Sequence, residues 1–222
     1  MSNLNSSGQN VPAIQGNSLI TCSRFVLFLD IMGFKNRVSK QEHGKVLRDL
    51  QKFQSEIQKC LSNYKAINIQ IAQFSDSIVL FSSNTYKASL LALSEVASSI
   101  MCIALRSNIP LKGALAKGKV TCDIPKQLFF GQALIDAYLL EENVKYYGIL
   151  VHHTAEVDVK GCHDYYRDVN AFLKSGQIHH YELNWYDKRE EMDKLLNRLR
   201  ESVSDEPRKY VDNTLSIINE SI

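Results

Sequence analysis

The chain has 222 residues, room for one ordinary domain with a helical appendage at roughly 100–200 residues per domain. Hydrophobic residues make up 45% and charged residues 23%, the balance of a globular protein, which excludes a disordered chain, a collagen-like repeat and a disulfide miniprotein. Lys+Arg 26 against Asp+Glu 24 leaves +2, without the global positive field that nucleic-acid binders carry, so no nucleic-acid partner is implied.

Five cysteines, Cys22, Cys60, Cys102, Cys122 and Cys162, form no C-x-x-C pair and read as reduced thiols of a cytoplasmic protein. No membrane partner is expected either. The most apolar stretch, Ala88 to Leu105, is interrupted by Ser89, Ser94, Glu95, Ser98 and Ser99 and falls short of the roughly 20 apolar residues of a span. Residues 1–20 read as a flexible tail without a secretory pattern, residues 21–185 as the main domain, and residues 186–222 as a helical extension.

Phe25-Val26-Leu27-Phe28-Leu29 is a continuous apolar run, the mark of a strand buried on both faces. It stops at Asp30, and Gly33 permits a tight turn. Val46, Leu50, Phe53, Ile57 and Leu61 then recur at helical spacing, one stripe of a long amphipathic helix. Ile67, Ile69 and Ile71 alternate with Asn68, Gln70 and Ala72, and Ile78 to Phe81 follows Phe74-Ser75-Asp76-Ser77, which predicts a β-hairpin with an aspartate at its turn.

Tyr86 to Arg106 predicts a second long helix, Ile109 to Val120 a strand, Gln132 to Glu142 a shorter helix and Gly148 to His152 another strand. The order is that of an α+β, ferredoxin-like antiparallel sheet with two long helices on one face. Beyond Thr154 the periodicity weakens until a strand at Ile178 to Trp185 and two charged helices at Asp187 to Ser202 and Pro207 to Ile218.

The chemistry concentrates in Phe28-Leu29-Asp30-Ile31-Met32-Gly33-Phe34. A strand-end carboxylate, Asp30, with the backbone carbonyl of Ile31 suits a divalent cation, and the Met32-Gly33-Phe34 turn offers backbone N–H groups to a phosphate near a helix amino end. The plainer alternative is that Asp30 caps the turn. Asp76 adds a second carboxylate at the neighbouring hairpin, and two such groups suit two Mg2+ or Mn2+ ions in an in-line phosphoryl displacement. Taken alone, Asp76 also reads as an ordinary turn aspartate.

Together these segments resemble class III nucleotidyl cyclases, whose first strand reads F-x-D-I-x-G-F and whose second metal aspartate sits on the hairpin. The resemblance runs from Arg24 to His153 and takes in Leu111 to Gly118 and Phe130 to Glu141. It implies an extended ferredoxin-like fold, catalytic and metal roles for Asp30 and Asp76, and a homodimer with sites at the interface. Ala72 stands where purine cyclases carry a base-reading lysine. Ile135 and Leu139 stand where they carry a transition-state asparagine and arginine; Gly131, Ala137 and Glu141 match that motif.

The chain is more similar to the pyrimidine cyclases of the bacterial Pycsar anti-phage systems. That likeness implies a phosphorus–oxygen lyase converting CTP or UTP to cCMP or cUMP, a product acting on a separate cyclic-nucleotide-binding effector. Asn68, Gln70 and Gln132 satisfy either base by an amide flip. Lys112 is placed to meet a phosphate or base carbonyl, against the alternative of a solvated lysine facing outward. Competing readings are an inactive nucleotide-binding homologue, an adenylate or guanylate cyclase, a palm-type or diguanylate-forming domain, and a zinc site drawn from His152-His153, His179-His180, Cys162 and His163.

Overall fold

Strand β1 (Thr21–Ile31) lies inside the sheet, hydrogen-bonded on both sides, which is why its central run is apolar on both faces. The computed structural model describes residues 20–186 and 189–220. The expected tail lies outside them but for Ile20, as does Asp187, the expected start of the first charged helix.

After β1 come α1 (Phe34–Lys40), α2 (His43–Ser62), β2 (Gln70–Phe74), β3 (Ser77–Phe81), α3 (Lys87–Arg106), β4 (Leu111–Asp123), β5 (Leu128–Gly131), α4 (Gln132–Asn143) and β6 (Ile149–Val151). Helix α5 (His153–Val159), the hairpin β7 (Tyr166–Leu173) and β8 (Gly176–Leu183), α6 (Arg189–Ser202) and α7 (Asp205–Asn219) complete the order. The sheet runs β2-β3-β1-β4-β6-β8-β7, with β5 paired to β4. Its pairings are antiparallel except β4 with β6, which is parallel.

The period-2 alternation of β1 sorts its side chains. Phe25, Leu27, Leu29 and Ile31 join the main core with Phe53 and Ile57 of α2 and Leu90, Leu93 and Ile100 of α3, so the two long helices cover one face as expected. Val26 and Phe28 pack on the opposite face with Ala133 and Ala137 of α4. Met192, Leu196 and Leu199 of α6 and Tyr210, Val211 and Ile218 of α7 enter the main core. Helix α3 is long and apolar enough to cross a membrane by length and composition alone, yet 67% of its apolar window is buried inside the fold.

Several local expectations are corrected. The turn after β1 leads into the seven-residue α1, and the long amphipathic helix starts only at His43. Lys65–Ile67 is a 3-10 turn, and Asn68 at φ 53 ends it, so β2 starts at Gln70 rather than Ile67. Strands β5 and β7 and helix α5 were not anticipated. The strand expected at Gly148 to His152 is the shorter β6, and His152 and His153 lie just beyond its end, capping and opening α5.

Candidate active site

Asp30 shares the face of Val26 and Phe28 by strand parity, which turns its carboxylate away from the long helices and toward α4. Across the sheet it is paired with Ser77 of β3 on one side and Lys112 of β4 on the other. The Ile31 N–H donates to the Asp76 carbonyl at 2.9 Å and the Met32 N–H to the Pro110 carbonyl at 2.9 Å. These bonds fix the exit of β1 against both neighbouring turns. Ser75 at φ 55 and Gly33 at φ 72 take left-handed conformations that make the two turns tight; at Gly33 any side chain would be strained.

The result is a cleft of about 550 Å³ lined by Phe28, Asp30, Ile31, Met32, Gly33, Phe34, Asp76, Lys112, Tyr138 and Glu141, with Lys35 and Lys174 among its further residues. Asp30 and Asp76 are each half-buried. Burial, then the charges of Glu141 and Asp76, push the Asp30 carboxyl up to about 7, with Lys112 partly opposing them. Among the described residues neither aspartate has an ion-pair partner. Crowded carboxylates without an ion-pair partner of their own fit a divalent cation, which would remove the penalty they carry. No group of three or more His, Cys, Asp or Glu side chains among the described residues is arranged to hold a metal; the residues in the cleft that could hold one are Asp30 and Asp76 with neighbouring backbone oxygens.

No protein-family profile matches this sequence. No curated protein matches it either. Solved structures do match. The guanylate cyclase domain of a rhodopsin-linked enzyme from Catenaria anguillulae, solved with GTP, has a TM-score of 0.58 at 15% identity over 73% of this chain and 96% of its own. A bacterial light-regulated adenylyl cyclase gives 0.54 at 17% over 80% and 98%, and the adenylyl cyclase CyaB from P. aeruginosa gives 0.54 at 18% over 74% and 96%. The fold is that of the nucleotidyl cyclase catalytic domains.

Within this cyclase fold the expected residues separate into two groups. Asp30, Ile31, Met32, Gly33, Phe34, Asp76 and Lys112 meet in one cleft. Gln132 does not join them: it opens α4 and donates to Asp136 at 2.7 Å. Asn68 and Gln70 also lie outside the cleft. Lys112 is neither free nor solvated, being 6% exposed with its ammonium 2.8 Å from Glu141 Oε1 and donating to the Glu141 carbonyl at 2.8 Å.

The cleft also contains residues outside the expected set, Glu141 and Tyr138 among them. Glu141 was visible as a motif match, but its partner is 29 residues away and no local pattern joins them. Tyr138 lies one helical turn before Glu141, its ring set edge-on to Phe28 at 5.5 Å. A hydrogen bond to Glu142 raises the Tyr138 hydroxyl above its ordinary range. The i, i+3 spacing puts Tyr138 and Glu141 on one face of α4, the signal that would have found them together.

Beside the cleft, sharing Phe28, Ser77 and Tyr138, lies an apolar cavity of about 610 Å³ lined by Ala72, Phe74, Phe81, Phe129, Leu134 and Ile135. Gln73, Ser77 and Gln127 are among its polar residues, and no charged residue lines it.

Proposed function

We propose that this chain is a nucleotide cyclase that closes a pyrimidine nucleoside triphosphate, CTP or UTP, into its 3′,5′-cyclic monophosphate with release of pyrophosphate. The observation that carries the reading is the meeting of Asp30 and Asp76 in one cleft of a cyclase fold, neither of them in an ion pair among the described residues. Two divalent cations bound there would activate the 3′-hydroxyl and neutralise the triphosphate. Asp30 and Asp76, with the Ile31 carbonyl, would hold them, and the turn at Met32, Gly33 and Phe34 would receive phosphate oxygens. In the reaction the 3′-oxygen forms a bond to the α-phosphorus, the bond from that phosphorus to the bridging oxygen breaks, and the hydroxyl proton leaves to solvent.

The pyrimidine preference is supported by Ala72 in the adjoining cavity, which no charged residue lines. A pocket read by amides and a serine, with no lysine at Ala72, lacks the cation that the resemblance assigns to purine reading. A homodimer is supported by exposed apolar side chains on this side of the molecule: Phe74 is 85% exposed, Ile135 49% and, one turn further along α4, Leu139 50%. Such a patch calls for a cover, and a two-fold copy supplies one. The cyclic product would act on a separate effector protein in anti-phage defence, as the sequence resemblance implies.

The test is product formation from ATP, GTP, CTP and UTP offered singly with Mg2+ and with Mn2+, resolved by mass spectrometry, with Asp76→Ala as control. A cyclic pyrimidine product lost in the variant is the expected result. A cyclic purine product would overturn the base assignment. No product from a folded dimer that binds metal-nucleotide would favour a non-catalytic homologue, the reading that the apolar Ile135 and Leu139 support.

A further inference from the structure

We infer that Glu141 is a positioning residue that holds the Lys112 ammonium away from Asp30 and so keeps the candidate metal carboxylates open to divalent cations. The inference rests on the two-cation reading of the cleft. Lys112 is the β4 partner of Asp30 in the β1–β4 register. Directly opposed residues on one sheet face have Cβ atoms about 4.5–5.5 Å apart, and a lysine side chain bridges that gap with length to spare. Being 6% exposed, Lys112 has little water to satisfy its charge, so the nearest carboxylate should capture it.

Asp30 nevertheless has no ion pair with it among the described residues. The ammonium lies instead 2.8 Å from Glu141 Oε1 and donates to the Glu141 carbonyl at 2.8 Å. One residue of α4 therefore provides both a neutralising charge and a second acceptor. Glu141, 3% exposed, spends its own charge in return. Of the four carboxylates lining the cleft, Glu142 is exposed and hydrogen-bonded to Tyr138, Asp30 and Asp76 are left for cations, and Glu141 cancels the buried Lys112.

Two other roles for Glu141 make different predictions. As a third metal ligand it would belong to a cage of acidic side chains, and no such group of three is found among the described residues. As a strut between β4 and α4 it would affect folding but not metal affinity.

The probe is Mn2+ alone, titrated without nucleotide into the full chain and read by calorimetry or electron paramagnetic resonance, with thermal melts alongside. Glu141→Gln keeps the shape and removes the charge, freeing Lys112 to pair with Asp30. Mn2+ affinity is expected to fall about 10–100-fold, the usual effect of losing a residue that orients a metal site. Adding Lys112→Met removes the intruding cation, and the double variant is expected to recover affinity to within a few-fold of the wild type.

An equally weak double variant would make Glu141 a ligand and overturn the inference. Unchanged affinity in Glu141→Gln, with a lowered Tm, would make it a strut and overturn the inference too. Should Glu141→Gln not fold, the double variant answers alone: near-wild-type Mn2+ binding shows that the carboxylate is dispensable once Lys112 is gone, and lost binding overturns the inference. A wild-type chain that binds no Mn2+ would instead remove the two-cation reading itself, and this inference with it.

Discussion

The Ile31 N–H donates to the carbonyl of Asp76 at 2.9 Å, tying the turn that carries one candidate metal carboxylate to the strand that carries the other. The tie uses the backbone of Asp76, so its side chain is free to be replaced. Asp76→Ala is expected to leave the circular dichroism spectrum and Tm near those of the wild type. Cyclase activity should drop about a thousandfold, the rate equivalent of losing several kcal/mol of metal-based transition-state stabilisation. A comparable loss of Tm would mean that the side chain holds the turn rather than a cation.

Asp30 should behave differently, because its charge is unfavourable in the metal-free fold. Burial and the neighbouring Glu141 and Asp76 charges hold its carboxyl far above the ordinary range, so ionising it costs the folded state more than the unfolded one. Asp30→Asn is expected to raise the Tm of the metal-free protein at pH 8 while abolishing Mn2+ binding, a site residue whose removal stabilises. Thermal melts with and without EDTA, beside a Mn2+ titration, check both halves.

What the sequence made legible was the part encoded locally. The run Phe25 to Leu29 reads as a doubly buried strand because α2 and α3 cover one face and α4 the other. The F-x-D-I-x-G-F segment and the hairpin aspartate gave the two carboxylates, and antiparallel pairing of β1 with β3 brings them together. Strand β7 was not legible because its buried positions, Tyr166, then Val169, Ala171 and Leu173, change phase after the first, which breaks the period-2 pattern. Helix α5, at seven residues, is too short to display a helical stripe. The Lys112–Glu141 pair joins a strand to a helix, and only the packing of α4 on β4 reveals that the lysine is buried and spoken for.

Gly113 sits beside Lys112 and faces Leu29 across the β1–β4 register. A Cβ there would meet Leu29 Cδ2 at 2.5 Å and the Phe28 carbonyl oxygen at 2.5 Å. The second contact is backbone and cannot rotate aside. Gly113→Ala is therefore expected to destabilise by about 1–3 kcal/mol or more, lowering Tm by about 2–4 °C per kcal/mol in a chain of this size. It should also weaken Mn2+ binding by shifting β1 next to Asp30. Gly161, where a Cβ meets nothing within 4 Å but the φ is +84, gives a comparison site far from Asp30: Gly161→Ala should lower Tm without changing Mn2+ affinity.

The exposed apolar side chains predict assembly. Phe74, on the edge strand β2, and Ile135, on α4, line the same cavity from its two sides. Ile135→Glu places a charge on that surface, and Ile135 is 49% exposed, so the fold has little need of its methyl groups. The variant is expected to sediment as a monomer, lose cyclase activity and keep its Tm to within a few degrees. A monomeric wild type in analytical ultracentrifugation would refute the homodimer.

Far from the cleft, Glu182 of β8 is 1% exposed and accepts from Arg167 of β7 at 2.8 Å, with the guanidinium set over the Tyr186 ring at 4.4 Å. Burial pushes the Glu182 carboxyl up to about 7, against the opposing pull of Arg167. The unfolded chain gives up this proton near pH 4.5, whereas the folded chain keeps it to about 7, so between these values the folded state binds more protons. The Glu182 contribution to stability is therefore full below the unfolded value and is lost as pH rises through the folded one. Urea unfolding at pH 5 and pH 8 should show a loss of stability at the higher pH that Glu182→Gln reduces. Arg167→Met leaves a buried carboxylate without its counter-charge, a change that typically costs about 3–5 kcal/mol. Most of that cost should appear at pH 8, where the carboxylate is forced to ionise, and little at pH 5, where Glu182 stays protonated. Equal losses at the two values would show that Arg167 stabilises through its stacking on Tyr186 rather than through the charge.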